Sequence, residues 1–312
     1  MKRFKSCYYG FLVGDSLGVP VKFIPRETLL NNPVTDMLEY GSYDVPAGSW
    51  SDDGSLLMAT MDSLVTKNGL NYEDMANKIL DWLSYAKYTP ADYVFDVGMG
   101  TLKAMENYRE NKLALESGMS GVNYNGNSPL VRMVPLAFYA KEKKLSDAQL
   151  IDLASDVSSI THRHEISFIG CYMFLRYLIF LLEGYDKYVS YIKLKDLDYS
   201  DFDKENVYEY HRILEGDIIN YPLSEISSSG YIVSTLEAVL WCVNNTDSYH
   251  ESVIGAINLG EYTDTIAALT GAVTGIIYGY DEIPKRWINS LQKKDYVKQM
   301  CTVYQKFLSS LR

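Results

Sequence analysis

Cysteine is scarce and scattered. Cys7, Cys171, Cys242 and Cys301 are the only four, with no CxxC pair and no histidine beside any of them. That excludes a disulfide scaffold and a local zinc motif, and leaves reduced, buried thiols as the expectation. Basic residues are also in deficit: 29 Lys and Arg against 40 Asp and Glu give a net charge of -11. A polyanion is held by clustered Lys and Arg, so nucleic acid is excluded as the main partner. The longest apolar run, Ile166 to Leu182, is interrupted by Ser167 and Arg176 and falls slightly short of a membrane span, so it reads as a buried helix. The basic start, Met1 to Lys5, leads into a stretch broken by Gly10, Gly14 and Asp15, without a cleavage signal. A soluble cytoplasmic protein with no membrane partner is the expectation. Also missing are internal repeats, Pro- or Ser-rich linkers and any persuasive strand pattern, so residues 1–312 are expected to form one all-α, compact, multi-helix domain.

What is present is a globular composition, 47% hydrophobic and 22% charged, with 27 tyrosines for half-buried positions. Helical spacing covers 4–18, 53–67, 73–87, 91–109, 130–142, 146–160, 165–183, 232–244 and 249–259. A further apolar helix opens at Asn258–Thr265 and runs to Gly279. Its Ala267, Gly271, Gly275 and Gly279 recur every four residues, a stripe without bulk against which another helix can pack backbone to backbone. Each interior glycine sacrifices ~1 kcal/mol of helix propensity, which marks the helix as central. Residues 21–47 and 118–129 read as loops, and 185–226 as a charged, Tyr-rich, solvated excursion in which little chemistry is expected.

Four places carry candidate chemistry. In Gly48-Ser49-Trp50-Ser51-Asp52-Asp53-Gly54-Ser55, two carboxylates stand at a helix start. They fit a doubled N-cap, which is the commoner use of such residues, and equally the hard oxygen donors that Mg²⁺, Mn²⁺ or Ca²⁺ takes. Asp264-Thr265 mirrors them at the start of the glycine-striped helix, so the two helix ends could face one another across a cation. The Gly/Asn/Ser-rich loop at 118–129 fits a sugar or phosphate cradle as well as a plain surface connection. In Thr161-His162-Arg163-His164-Glu165, the i, i+2 spacing lets only one histidine point at a given site, and a capping or interior histidine accounts for either.

Taken together, five segments resemble the ADP-ribosylglycohydrolase family. They are Gly14-Asp15-Ser16-Leu17-Gly18-Val19-Pro20, Gly48 to Asp53, Asn125-Gly126-Asn127 through Arg132 and Pro135, Thr161 to His164, and Asn258-Leu259-Gly260 through Asp264-Thr265-Ile266-Ala267. Ser228-Gly230-Tyr231, Thr235-Leu236-Glu237 and Trp241 match as well. The resemblance implies an all-α domain with a binuclear Mg²⁺ or Mn²⁺ centre in a cleft that holds ADP-ribose. By resemblance Ser51, Asp52, Asp53, Asp264 and Thr265 bind metal. Asn125, Gly126, Asn127, His162 and Tyr231 meet the substrate. Ser128-Pro129 departs from the usual Gly-Ser. Two larger departures are Lys22, where the family has a Glu for metal binding and catalysis, and Tyr262, where the second motif has its first Asp. One removes a carboxylate and the other reverses a charge. Asp52 and Asp53 then remain as catalytic carboxylates, and a lysine ammonium standing in for one cation leaves at most one metal ion. The expected activity is metal-assisted cleavage of the glycosidic bond between ADP-ribose and a protein or small-molecule acceptor; the alternative is a non-hydrolytic relative that binds ADP-ribose or a nucleotide.

Overall fold

Glycine at every fourth position of the first helix, Lys2–Gly18, meets the glycine stripe of the helix Thr263–Tyr278. A Cβ placed on Gly10 would lie 2.2 Å from the Gly271 carbonyl oxygen, and one on Gly14 only 2.1 Å from that of Ala267. At Gly18 the obstacle is the Asp264 Cα, 2.4 Å away. The two helices therefore run antiparallel with backbones in direct contact, and their glycines make the approach sterically allowed. Side chains lock the pair: Tyr249 Oη donates to the Gly10 carbonyl (2.7 Å) and Thr263 Oγ1 to that of Gly18 (2.8 Å).

The structure, a computed structural model, describes residues 2–312. Around the central pair lie Asp52–Lys67, Pro129–Lys143, Glu165–Glu183, Ile232–Asn244 and Tyr249–Ile257, close to the spans that periodicity predicts, together with Lys294–Ser310, which it does not predict. The domain is all-α: no strand occurs among the described residues, only two isolated bridges, Met119 with His162 and Gly126 with Tyr231. The apolar helix Glu165–Glu183 is long enough to cross a bilayer, but it is buried from Ile169 to Leu182 except at Arg176, which pairs with Asp147 at 3.1 Å. All four cysteines are free and buried.

Three segments depart from expectation. The helix predicted over 91–109 begins only at Met99. Ahead of it, Ala86, Tyr88, Asp92 and Asp96 take left-handed backbone conformations, and carbonyls accept from side chains instead of from a helix. Trp50 Nε1 donates to Tyr88 O, and Lys293 Nζ to Thr89 O, both at 2.8 Å. The 21–47 loop contains a short helix, Arg26–Asn31. The 185–226 excursion folds into short helices whose Tyr191, Tyr210 and Ile213 are buried, so it is more than a solvated face.

Overpacking usually costs ~1–3 kcal/mol, and more when backbone blocks the added atoms. Gly14→Val should therefore cost ~3 kcal/mol or more of stability, read as a lower midpoint in urea denaturation. Gly255→Ala, at a mid-helix glycine whose added Cβ meets nothing within 4 Å, should instead gain up to ~1 kcal/mol. Equal effects of the two substitutions would contradict the backbone contact.

Candidate active site

The helix Asp52–Lys67 is capped by other residues than its two aspartates. Ser51 is the N-cap, its Oγ accepting from Asp53 N at 3.1 Å. Asp15, on the first helix, accepts from Ser51 N (3.0 Å) and Gly54 N (2.9 Å). A Cβ on Gly54 would sit 3.0 Å from Asp15 Oδ2, so glycine there admits the carboxylate. The doubled N-cap reading is thereby replaced: Ser51 and Asp15 satisfy the helix end, and Asp52 and Asp53 are free for other work.

Those two carboxylates share a buried centre with Asp264, in the first turn of Thr263–Tyr278, and with Asp96 from the irregular segment before Met99. One oxygen each of Asp52, Asp96 and Asp264 lie within 4.8 Å of one another. Lys22 Nζ enters this centre, 2.8 Å from Asp264 Oδ2 and paired with Asp96. Burial would by itself pull the Lys22 pKa down, but the carboxylates of Asp264, Asp52, Asp96 and Asp53 outweigh it and hold the ammonium well above its usual range. Asp52 is raised by burial and then by Asp96 and Asp53; Asp53 by burial and then by Asp264 and Asp15, with the Thr265 hydroxyl opposing. Asp15 and Asp96 are likewise raised, first by burial and then by Asp264. Asp53 Oδ2 and Asp264 Oδ1 accept no hydrogen bond although both are buried. Crowded oxygen donors with unsatisfied lone pairs and more negative charge than one ammonium offsets fit a hard divalent cation.

Beside the centre opens a cavity of about 730 Å³, within the usual range for a small-molecule site. Asn125, Gly126, Asn127, His162 and Tyr231 all line it, as does Tyr262. The Asn side chains are committed to hydrogen bonds within the protein, which tie the loop to neighbouring helices. Asn125 Oδ1 accepts from Ser167 Oγ (2.8 Å), its Nδ2 donates to Val122 O (2.9 Å), and Asn127 Nδ2 donates to Thr235 Oγ1 (3.0 Å). His162 Nδ1 meets Thr161 Oγ1 at 2.9 Å, and the same hydroxyl accepts from the fully buried Arg132. A Cβ on Gly100 or Gly126 would come within 2.7 or 3.1 Å of His162 Nε2, so two glycines make room for the ring. His164 points elsewhere: its Nδ1 caps the next helix by accepting from Ile166 N at 3.3 Å. Tyr231 Oη donates to Glu209 Oε2 at 2.9 Å, which brings the 185–226 excursion to the cleft, contrary to expectation. Ser128-Pro129 starts the helix Pro129–Lys143, with proline in its first turn.

Tyr262 joins the two halves. It lines the cavity, its ring centroid is 5.7 Å from Lys22 Nζ, and it meets Phe23 edge-on at 5.5 Å. A Cβ on Gly230 would collide with the ring at 2.4 Å. The two departures from the family pattern are therefore neighbours. Sequence reasoning did not single out Asp15 or Asp96. Asp15 had a signal, its place between Gly14 and Ser16 in a matching segment. Asp96 had none, because its segment reads as helix.

The sequence pattern of the family described as ADP-ribosylglycohydrolase matches residues 1–310. Among curated relatives, an ADP-ribosylarginine hydrolase Tri1 of Serratia proteamaculans is 28% identical, over 96% of this chain and 78% of the relative. An ADP-ribosyl-[dinitrogen reductase] glycohydrolase of Rhodospirillum rubrum is 26% identical, over 94% of this chain and 91% of the relative. A solved structure titled "ADP-ribosylglycohydrolase-related protein complex" superposes with a TM-score of 0.81 at 25% identity, covering 98% of both chains.

His162 is held neutral, its pKa pushed down to about 3 by burial and then by the Arg132 guanidinium. The folded value lies below the unfolded value of ~6.5, so the unfolded chain binds a proton that the folded one refuses. The resulting stability is complete above ~6.5 and falls as pH drops toward 3, with a limiting slope of ~1.4 kcal/mol per pH unit from this group. Denaturant titrations from pH 7 to 4 should therefore show a shallower decline for His162→Asn than for the wild type; parallel declines would contradict the assignment.

Proposed function

The chain belongs to the ADP-ribosylglycohydrolase family; from that premise we propose that it is a glycosidic-bond hydrolase that releases ADP-ribose from an ADP-ribosylated acceptor with the help of one divalent cation, Mg²⁺ or Mn²⁺. The observation that carries this reading is the join at Tyr262 between a cavity of about 730 Å³ and a buried cluster of carboxylates.

Ser51, Asp52, Asp53, Asp264 and Thr265 would hold the ion. Asp53 and Asp264 bring the buried oxygens without hydrogen-bond partners, and the Thr265 hydroxyl lies beside Asp53. A bound divalent cation supplies Lewis acidity toward ribose hydroxyls and an attacking water. Asp52, raised by burial and by Asp96, is the proton acceptor: it takes a proton from water as the bond from ribose C1'' to the acceptor atom breaks. The hydroxyl ends on C1'', and the proton passes to the departing acceptor. Gly126, with no side chain in the way, lets the pyrophosphate or ribose approach the loop backbone. His162 gives the cavity an uncharged polar wall, and Tyr231, anchored on Glu209, a fixed aromatic one. The relatives are named for ADP-ribosylarginine and for ADP-ribosylated dinitrogen reductase, which makes an arginine-linked substrate the first to try.

One observation favours a second reading, a binder of ADP-ribose without turnover: Lys22 pairs with Asp264 and Asp96 inside the centre. Release of ADP-ribose from arginine-linked and serine-linked peptides, with Mg²⁺ and after chelation, separates the two. Metal-dependent release by the wild type is expected, with Asp52→Asn lowering kcat by ~10²–10⁴-fold, the range for loss of a general base. No release by the wild type, but release by Lys22→Glu with Tyr262→Asp, would establish the binder instead.

A further inference from the structure

His162 is neutral and lines the cavity, so its single ring proton sits on one of two nitrogens, and which one decides what the ring offers a ligand. The packing behind the ring answers this. Arg132, in the helix Pro129–Lys143, is fully buried; it donates from Nη1 to the Val157 carbonyl (2.7 Å) and from Nη2 to Thr161 Oγ1. Burial pulls its pKa down to about 10, which leaves it a cation at neutral pH, and a guanidinium has donors only. Thr161 Oγ1 therefore accepts.

Thr161 is itself fully buried, and its hydroxyl has one proton left to place. Among the described residues the other partner of that hydroxyl is His162 Nδ1, at 2.9 Å. If Nδ1 carried the ring proton, Thr161 Oγ1 would face two donors and its own proton would be buried without an acceptor, an arrangement that folded proteins avoid. The hydroxyl proton goes to Nδ1, and the ring proton is left on Nε2. His162 is held to present it. His162 N donates to Ser158 O (2.7 Å) and Ser158 Oγ to His162 O (2.8 Å), which fixes the backbone on both sides. Nε2 is the ring atom nearest the Cβ that the cavity-lining Gly100 and Gly126 lack, and no described residue meets it in a hydrogen bond.

We infer that Arg132 and Thr161 are positioning residues that lock His162 in its Nε2–H form, so that the cavity wall presents a fixed N–H donor to an acceptor oxygen of the ligand, on a phosphate or a ribose. Polarity runs from Arg132 to Thr161 to His162 to ligand, each group donating to the next. A protonated Nε2 has no lone pair, so it takes no proton from water, and that step stays with a carboxylate. A ligand group that itself donates, such as an amine, meets the wrong partner there. The inference rests on the ADP-ribose reading above for its ligand, but not for the tautomer.

Long-range proton–nitrogen correlation spectra of the full chain with isotope-labelled histidine test it. The chain has four histidines, and His162→Asn identifies the signals of this one. At neutral pH the expected result is a protonated Nε2 and an unprotonated Nδ1, with the Nε2–H proton moving downfield as ADP-ribose is added. Thr161→Val should shift the Nδ1 signal and weaken ADP-ribose binding by up to about tenfold, the worth of one hydrogen bond, whereas Thr161→Ser should keep both at wild-type values. Arg132→Met, which frees the Thr161 oxygen to accept from the ring, should admit the Nδ1–H form. A wild-type ring that is Nδ1–H or mixed overturns the lock, as does a folded Thr161→Val with unchanged ring signals or a folded Arg132→Met that stays purely Nε2–H. ADP-ribose that binds without moving the Nε2–H proton overturns the donor role. A wild type that binds no ADP-ribose contradicts the reading under Proposed function, while the tautomer and its response to Thr161→Val still decide this one.

Discussion

Everything at the centre depends on two helices touching along their backbones. Because Gly10, Gly14 and Gly18 carry no Cβ, the first helix lies directly on Thr263–Tyr278, and Gly18 abuts Asp264. This contact places Asp15 close enough to Asp264 for each carboxylate to feel the other. Asp15 in turn grips the backbone at Ser51 and Gly54. Three segments far apart in the chain are thereby fixed in one layer by sterics and two hydrogen bonds, before any ligand is involved. Such rigidity is what a hydrolytic site requires, since electrostatic stabilisation works when the charges are already in place.

The same layer carries an electrostatic load. Desolvated carboxylates in contact repel one another, and their proton affinities rise as a result. Several features offset the cost: the N-terminal ends of Asp52–Lys67 and Thr263–Tyr278, the hydroxyls of Ser51 and Thr265, and the Lys22 ammonium. The unsatisfied oxygens of Asp53 and Asp264 show that the offset is incomplete within the protein alone. Under the proposed function a divalent cation would complete it, beside the cavity that would take the sugar. Lys22 and Tyr262 alter this balance together, in contact with the same neighbours, rather than as two unrelated losses.

The fold was readable because its helices bury one face at regular spacing, and the glycine stripe from Ala267 to Gly275 foretold a backbone contact that Gly10 and Gly14 supply. The site was readable where chemistry sits in compact motifs: Asp52, Asp53 and Asp264 meet in one buried cluster, and His162 and the loop at 125–127 line the cavity beside it. What escaped was set by tertiary contacts. Whether Asp52 or Ser51 caps the helix could not be decided without Asp15, which comes from 36 residues away. Asp96 lies where local spacing indicates helix, but Asp92 and Asp96 take left-handed conformations, and just before them Trp50 and Lys293 take the carbonyls of Tyr88 and Thr89. Glu209 was read as solvated surface, since only the folded excursion brings it to Tyr231. The Asn side chains at 125 and 127 matched a binding loop by position, while their hydrogen bonds show them shaping it.

The central claim is that cavity and carboxylate cluster are one site rather than two neighbours. Calorimetric titration of ADP-ribose into the protein, with saturating Mn²⁺ and after chelation, tests it most directly. One site predicts that the ion tightens ADP-ribose binding and that ADP-ribose tightens Mn²⁺ binding by the same factor, as linkage requires. Binding of each that is indifferent to the other, or no binding of ADP-ribose, would contradict it.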